Sequence, residues 1–395
     1  MAGLIISPRA RIFHGHDWVY ATEIKKTFGN PEPGDVISLK DFKDRALGSA
    51  IYNPQSQIVA RRFSFRKQDL DLDFFERRFT QALKAREATD INPRLMRLVW
   101  SESDALPGIV IDRYGDVLVL QATTLAMHQR LDIIVEAAQN VYQPQGILLR
   151  NDSAMLKSEG IEPELKALSG DVPESFVVTQ NYGIGDIDYT VQLFSGQKTG
   201  LYIDQLQAHD EVAVYAKGRR VLDMFSNQGG FALAAAKAGA SAVTAVDISE
   251  SAVESIAENA KANELSITAT KSNAFDYLRT LEELSEEESH DLIILDPPSF
   301  TRNKKTVKEA LRGYKEIHLR AIKHLKAGGI MSTFCCSHHI TQELFLENIV
   351  SASVDAKKTI KLIKTHTQRL DHPVLPALPE TLYLKGYTFE ILASK

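Results

Sequence analysis

The sequence predicts an α/β protein. Its C-terminal half forms a doubly wound, mostly parallel sheet, preceded by a small α/β layer and an N-terminal β-barrel module. Three observations carry this prediction. From about Gly196 onward, apolar strand runs alternate with helical periods, as in successive βαβ units. Three polar loops, Ser226–Gly230, Asp296–Phe300 and Cys335–His338, each follow such a run, at strand carboxyl ends where open α/β sheets hold ligands. The first 70 residues instead show short strands broken by turn clusters, with no dominant helix. The expected domains are 1–70, 71–195 and 196–395.

In the N-terminal region Asn30-Pro31-Glu32-Pro33-Gly34-Asp35 is a turn cluster, and Val36–Lys40 alternates as a half-buried strand does. Gly48–Asn53 and Ile58–Phe63 supply two more strands. The stretch Arg61-Arg62-Phe63-Ser64-Phe65-Arg66-Lys67 interleaves cations with aromatics, which suits phosphates and stacked bases. An ordinary strand with a solvated face gives the same pattern. Residues 71–97 are expected to be helical, with Phe74, Phe75, Phe79, Ala82 and Leu83 on a core-facing stripe. A hairpin over Ile109–Tyr114 and Val117–Gln121, a helix from about His128 to Tyr142 and a strand at Gly146–Arg150 complete a small layer. Punctuated loop and edge structure covers 157–173, and a further hairpin spans Phe176–Phe194, turning at Asn181-Tyr182-Gly183.

The C-terminal region then runs helix Leu206–Ala216, strand Val221–Phe225, helix to Ala238, strand Ala242–Val246 and helix Glu250–Asn263. It continues through a short strand near Ile267–Lys271, strand Asp291–Asp296, helix Thr306–Leu325, strand Gly329–Phe334 and helix Thr341–Val350. Strands near Thr359–Lys364 and at Thr381–Leu392 close it.

Composition narrows the function classes. At 395 residues the chain has room for two or three domains, and 44% apolar content supplies their cores. No apolar run reaches transmembrane length, and the opening Met1–Ile6 is soon broken by Pro8, Arg9 and Arg11, so no membrane partner and no signal peptide are expected. A formal net charge of −5 means that RNA contact must rest on local basic patches. The only cysteines, Cys335 and Cys336, are adjacent, which leaves no disulfide framework and no zinc spacing; a cytoplasmic location follows.

The ligand is narrowed by the turn after Val221–Phe225. It lacks the full G-x-G-x-x-G of dinucleotide binders, and no Walker A lysine occurs. S-adenosylmethionine remains among the common choices. Asp223 suits its amine, and Asp247, about twenty residues further on, suits ribose hydroxyls. Asn273 stands where an adenine-facing side chain belongs, and the prolines of Asp296-Pro297-Pro298-Ser299-Phe300 stiffen a loop able to hold a flat base.

Several stretches carry a family resemblance. His16-Asp17-Trp18-Val19-Tyr20, Pro33-Gly34-Asp35-Val36 and Gly48–Asn53 resemble a PUA domain, a β-rich RNA-binding module. The whole chain resembles the class I methyltransferases known as bacterial 23S ribosomal RNA large-subunit (cytosine-5)-methyltransferases. That resemblance rests on Gly196–Gln205, Phe225–Phe231, Asp296–Phe300, Arg312-Gly313-Tyr314-Lys315, Thr333–Ser337, Asp371-His372-Pro373-Val374 and Tyr383-Leu384-Lys385-Gly386. It implies a cofactor site of Gln205, Asp223, Phe225, Ser226, Gln228, Gly229, Gly230, Asp247, Ile248, Ser249, Asn273, Ala274 and Asp296. It implies RNA contacts at Lys198, Pro297, Pro298, Phe300, Arg312, Tyr314 and Lys315, beside Arg61 and Arg62 of the N-terminal module. By its Thr-Phe-x-Cys-Ser pattern Cys336 takes the nucleophile's place, with Asp296 orienting the base or assisting proton movement. The implied partner is 23S ribosomal RNA, and a homodimer is an open expectation.

Three positions depart from the family pattern: Leu206 where arginine is frequent, Asn273 where aspartate is common, and Ser299 where lysine is frequent. Lys304–Lys326 holds eight Lys/Arg, an expected RNA face in part, whereas the acidic run 282–288 is expected to be a solvated loop. Two other functions remain open at this point: methylation of a base nitrogen, which needs no thiol, and a non-catalytic RNA-binding assembly factor.

Overall fold

The structure, a computed structural model, describes residues 2–152, 154–195, 199–281, 289–301 and 303–393, apart from the side chains of 154 and 155. Lys198 and the acidic run 282–288 therefore lie outside the described residues. The chain divides into two compact units. One comprises Met1–Val178, Val191–Ile203 and Leu370–Thr381, the other Thr179–Thr190, Asp204–Arg369 and Leu382–Lys395.

The first unit opens with six short strands, β1 Gly3–Ile6, β2 Trp18–Tyr20, β3 Ile24–Phe28, β4 Val36–Lys40, β5 Ala46–Tyr52 and β6 Ile58–Ser64. They form one sheet in the order β2-β6-β5-β4-β1-β3 around a core of Leu4, Ile6, Val19, Ile37, Leu39, Ala50 and Ala60. Helix α1, Leu72–Glu87, starts where the Asp71 carboxylate accepts the Phe74 N–H at 2.9 Å. It is shorter than the expected 71–97. Pro93 lacks an N–H and biases its neighbour toward extended backbone, and Leu95–Trp100 is strand β7.

Strands β8 Ile109–Tyr114 and β9 Val117–Ala122, helices α2 Leu125–His128 and α3 Leu131–Tyr142, and strands β10 Gly146–Asn151 and β11 Glu164–Gly170 follow. The stretch expected as loop and edge holds the end of a 3-10 turn, loop, and the edge strand β11 of a five-stranded sheet ordered β11-β10-β9-β8-β7. Phe74, Phe75 and Phe79 of α1 and Tyr142 of α3 pack over it, together with Phe63 of β6. Strands β12 Ser175–Tyr182 and β13 Gly185–Gln192 form a hairpin whose greater part, Thr179–Thr190, belongs to the second unit. Its turn falls at Gly183-Ile184, just beyond the expected position. The returning segments of the first unit are tied by buried charge. Arg97 grips Asp112 through two bonds of 2.7 Å, and Asp112 also accepts the Thr199 hydroxyl at 2.6 Å. Asp371 accepts the Arg97 backbone N–H at 2.8 Å.

The second unit is a seven-stranded sheet with helices on both faces. In chain order its elements are α4 Leu206–Ala213, β14 Arg220–Met224, α5 Gly230–Lys237, β15 Ala242–Asp247, α6 Glu250–Ala262, β16 Thr268–Lys271, α7 Ala274–Thr280 and β17 Leu292–Leu295. Then come α8 Val307–His324, β18 Ile330–Cys335, α9 Gln342–Asp355, β19 Ile360–His366 and β20 Lys385–Ile391. The order β16-β15-β14-β17-β18-β20-β19 is parallel except for β20, which runs antiparallel to both neighbours. Ala208, Phe231 and Ile256 of α4–α6 pack on one face; Leu278, Ile317 and Phe345 of α7–α9 pack on the other. Winding reverses between β14 and β17, so a crevice opens there beyond the strand carboxyl ends. Among the described residues no helix is long and apolar enough to cross a membrane.

Candidate active site

The turn after β14 is built on uncommon backbone. Phe225 (φ 63°), Asn227 (φ 51°) and Gly229 (φ 85°) all lie in the left-handed region, which only glycine adopts without cost. Strain concentrated in so few residues is characteristic of ligand-holding turns. Asp223, fully buried on β14, braces this turn. Its Oδ2 accepts the Ser226 hydroxyl and, at 3.1 Å, the Ala232 N–H at the start of α5. Its Oδ1 is buried with no partner. Burial pushes the Asp223 carboxyl up to about 7; the Ser226 bond opposes this, and the charge of Asp296 adds to it. A lone buried carboxylate oxygen is costly unless a cation arrives.

Gly230 lets His209 come close. A Cβ there would sit 2.3 Å from the His209 ring. His209, on α4, is buried edge-on against Phe231, with ring centroids 4.4 Å apart, and accepts or donates through Nδ1 to the Tyr182 hydroxyl at 3.1 Å. Burial holds it down at about 3, so it is a neutral wedge under the turn. No motif singled out His209; the only sequence signal was its position one helix before the turn.

The other cofactor-side residues gather at neighbouring strand ends. Asp247, the last residue of β15, accepts the Asn227 N–H at 3.0 Å and the Ser249 N–H at 2.9 Å, joining two loops. Ile248 beside it is 65% exposed, an apolar surface next to two polar loops. Ser249 caps α6 and Asn273 caps α7. The Asn273 side-chain oxygen is committed to the Phe275 and Asp276 N–H groups, which leaves its amide nitrogen for any other contact. Ala274 is buried, and Gln228 is half-buried with its backbone oxygen bonded to Asn259 at 3.1 Å.

Asp296 follows β17 and is partly exposed. Both its oxygens accept from Gln205 Nε2, at 3.1 and 3.0 Å, while the Gln205 Oε1 is buried without a partner. Pro297 is buried and Pro298 exposed. Phe300 packs on Tyr314 at 4.6 Å and lies 6.0 Å from Phe275 and 6.4 Å from Phe225, so it buttresses the loop.

On the adjacent strand, Cys335 and Cys336 diverge. Cys335 ends β18 fully buried against Tyr314, and burial raises its thiol. Cys336 is partly exposed. Opposite Cys335 on β20 stands Lys385, 4% exposed, whose ammonium donates to the carbonyls of Ser337 (2.7 Å) and Ile340 (2.8 Å). Burial lowers this ammonium, and the two thiols oppose that shift. Lys385 therefore fixes the loop that carries Cys336. Two histidines pin β18 itself: His318 bonds Thr333 at 2.9 Å, and His366 bonds Thr388, which bonds Ser332.

Several residues expected to contact RNA are engaged within the protein. Tyr314 is fully buried because Ala310, Tyr314, Ile317 and Ala321 form the core stripe of α8, and its ring packs between Phe300 and Phe345. Lys315 pairs with Asp355 at 2.7 Å, whereas Arg312 is exposed. Arg62 is buried and bound to Asp17, and Arg61 is bound to Glu102 at 2.6 Å and stacks on Trp18. Both arginines are thus tied into the fold of the first unit.

An unpaired buried carboxylate oxygen, a glycine turn that admits close approach and an exposed apolar residue beside a second carboxylate fit a cationic amino-acid nucleoside. Comparison with known proteins agrees. Residues 160–374 match the model of the S-adenosylmethionine-dependent methyltransferase family, and residues 8–65 match a PUA-like domain. A ribosomal RNA large subunit methyltransferase I of Tolumonas auensis is 38% identical over 376 residues, 94% of each chain. That of Erwinia tasmaniensis is 35% identical over 381 residues, 95% of this chain and 96% of the relative. A solved structure of a SAM-dependent methyltransferase from Streptococcus mutans shares the fold, with a TM-score of 0.82 at 24% identity over 99% of this chain and 100% of that one. The chain belongs to the ribosomal RNA large subunit methyltransferase I family, a group of S-adenosylmethionine-dependent methyltransferases with an N-terminal PUA-like domain.

Proposed function

We propose that this protein methylates carbon 5 of a cytosine in 23S ribosomal RNA, with Cys336 as nucleophile. The observation that carries this reading is the divergence of the two thiols: one is buried in the core, and the other is accessible at the strand end adjacent to Asp296. Methylation of a nitrogen needs no thiol; carbon 5 of cytosine does, because it is a poor nucleophile.

S-adenosylmethionine, when bound, supplies an activated methyl group. On the protein side, Asp223 holds the cofactor's amine through its unpaired oxygen, Asp247 holds the ribose, and Ile248 packs against the base. The Cys336 thiolate adds to carbon 6 of the cytosine. The new S–C6 bond pushes the ring electron pair onto carbon 5, which becomes the methyl acceptor. Once carbon 5 carries the methyl group, its proton passes to a solvent water acting as base; the C–H electron pair re-forms the C5–C6 double bond, the S–C6 bond breaks and its electrons restore the thiolate. Asp296, kept in place by Gln205, accepts from the cytosine amino group and orients the ring. The exposed Arg312 contacts the RNA backbone. The work is done in the cytoplasm.

Mass spectrometry of ribosomal RNA nucleosides from cells with and without the protein tests the reading. The expected result is loss of one 5-methylcytosine from 23S RNA, restored by the wild-type chain and not by Cys336→Ala. Restoration by Cys336→Ala, or loss of an N-methylated base instead, overturns the thiol mechanism.

A further inference from the structure

Among the described Phe, Tyr and Trp residues Phe65 is the one exposed, at 76% of its surface. It lies just past the end of β6, outside the hydrophobic core. Its setting is ordered all the same. The guanidinium of Arg62 lies 4.1 Å from the ring centroid and covers one face. Arg62 is itself fixed: the residue is 7% exposed, and its guanidinium is bound to Asp17 at 2.7 Å and reaches the Leu47 carbonyl. The neighbouring strand carries no side chain at this level, because a Cβ on Gly48 would strike the Ser64 carbonyl at 1.9 Å and Phe65 Cα at 2.9 Å. The next two residues, Arg66 and Lys67, are exposed, and neither has an ion-pair partner among the described residues.

We propose that Phe65 is a stacking platform for an unpaired RNA base, with Arg66 and Lys67 holding the adjoining phosphates. The proposal deepens the reading of the protein as an RNA methyltransferase and rests on RNA being its substrate. A ring backed by a buried cation and open on its other face is pre-oriented for a flat partner, and stacking of this kind tolerates any base. The sequence neighbours are Ser64, Arg66 and Lys67, and two cations beside an aromatic ring suit the phosphates on either side of a stacked base. Arg61 and Arg62 thus serve RNA only indirectly, Arg62 by setting the ring.

The test is a binding cycle on the full-length protein. Affinity is measured by fluorescence anisotropy for a labelled single-stranded oligoribonucleotide and for the same strand with abasic positions. Phe65→Ala is expected to weaken binding of the intact strand about tenfold, to bind the abasic strand as wild type does, and to keep its melting temperature. Phe65→Trp is expected to restore affinity. Arg66→Ala with Lys67→Ala is expected to weaken both strands alike and to flatten the salt dependence. Equal binding of the intact strand by wild type and Phe65→Ala overturns the proposal. So does a loss seen only with ribosomal particles and not with naked RNA, which would assign the ring to a protein contact. Failure of the methylation reading is separable: nucleoside analysis with Cys336→Ala reports it without reference to Phe65.

Discussion

At the scale of single residues, the site depends on neighbours with opposite fates. Cys335 and Cys336 share a chemistry and differ only in which way the strand end turns them. Cys335→Ala removes a small buried group and is expected to cost about 1 kcal/mol of stability with methyl transfer intact. Lys385 acts on the same strand end. Its ammonium satisfies two carbonyls of the loop that carries Cys336. Lys385→Met keeps the aliphatic stem and removes both bonds, leaving buried acceptors that cost about 1–3 kcal/mol each. The expected outcome is a lower melting temperature and slowed methyl transfer, with S-adenosylhomocysteine affinity by calorimetry unchanged. The sequence marked Lys385 only as part of a shared motif. Its partners come from β20 running antiparallel beside β18, a pairing between segments about fifty residues apart that no local pattern encodes.

At the scale of elements, the strand–turn–helix of β14 and α5 is the most legible feature and also the least tolerant. Gly230 and Gly328 offer a contrast. Alanine at Gly230 drives a methyl into the His209 ring, which is wedged between the turn and Phe231. Alanine at Gly328 meets nothing within 4 Å and suffers only from its backbone angle, φ 81°. Gly230→Ala is expected to cost about 1–3 kcal/mol by overpacking and to abolish cofactor binding. Gly328→Ala is expected to lose at most about 1–2 kcal/mol and to bind cofactor normally; thermal melts and calorimetry on both variants check this. Strand ends and polar loops could be read from the sequence because a period of two and a period of 3.6 leave different traces. Two other features could not. Tyr314 sat in a motif with Arg312 and Lys315, yet helical geometry turns it inward and Arg312 outward. Leu95–Trp100 continued the apolar content of α1, and only the turn residues 88–94, Pro93 among them, separate the two.

At the scale of the whole molecule, stability and cofactor binding are coupled through protons. His209, His290 and His318 are held neutral by burial, at about 3, 4 and 4, below the ordinary 6.5. The unfolded chain takes up protons on these groups first, so stability falls as pH drops below about 6.5. Asp223 acts in the opposite sense. Its carboxyl is raised to about 7 from 3.8, so the folded state holds that proton more tightly, and its ionisation destabilises the fold as pH rises from about 4 to 7. Asp223→Asn removes this opposing contribution, and its melting temperature is expected to fall more steeply than that of wild type between pH 8 and pH 5. The same proton controls the ligand. If the cofactor amine needs the ionised carboxylate, apparent affinity is reduced by the ionised fraction. S-adenosylhomocysteine binding to the wild-type protein is then expected to weaken roughly tenfold between pH 7.5 and pH 6, while Asp223→Asn binds weakly at both. A flat affinity profile across that range, measured by calorimetry, would remove Asp223 from the amine's site. A steep one would mean that the carboxylate costing the empty fold most is the group the methyl donor stabilises on arrival.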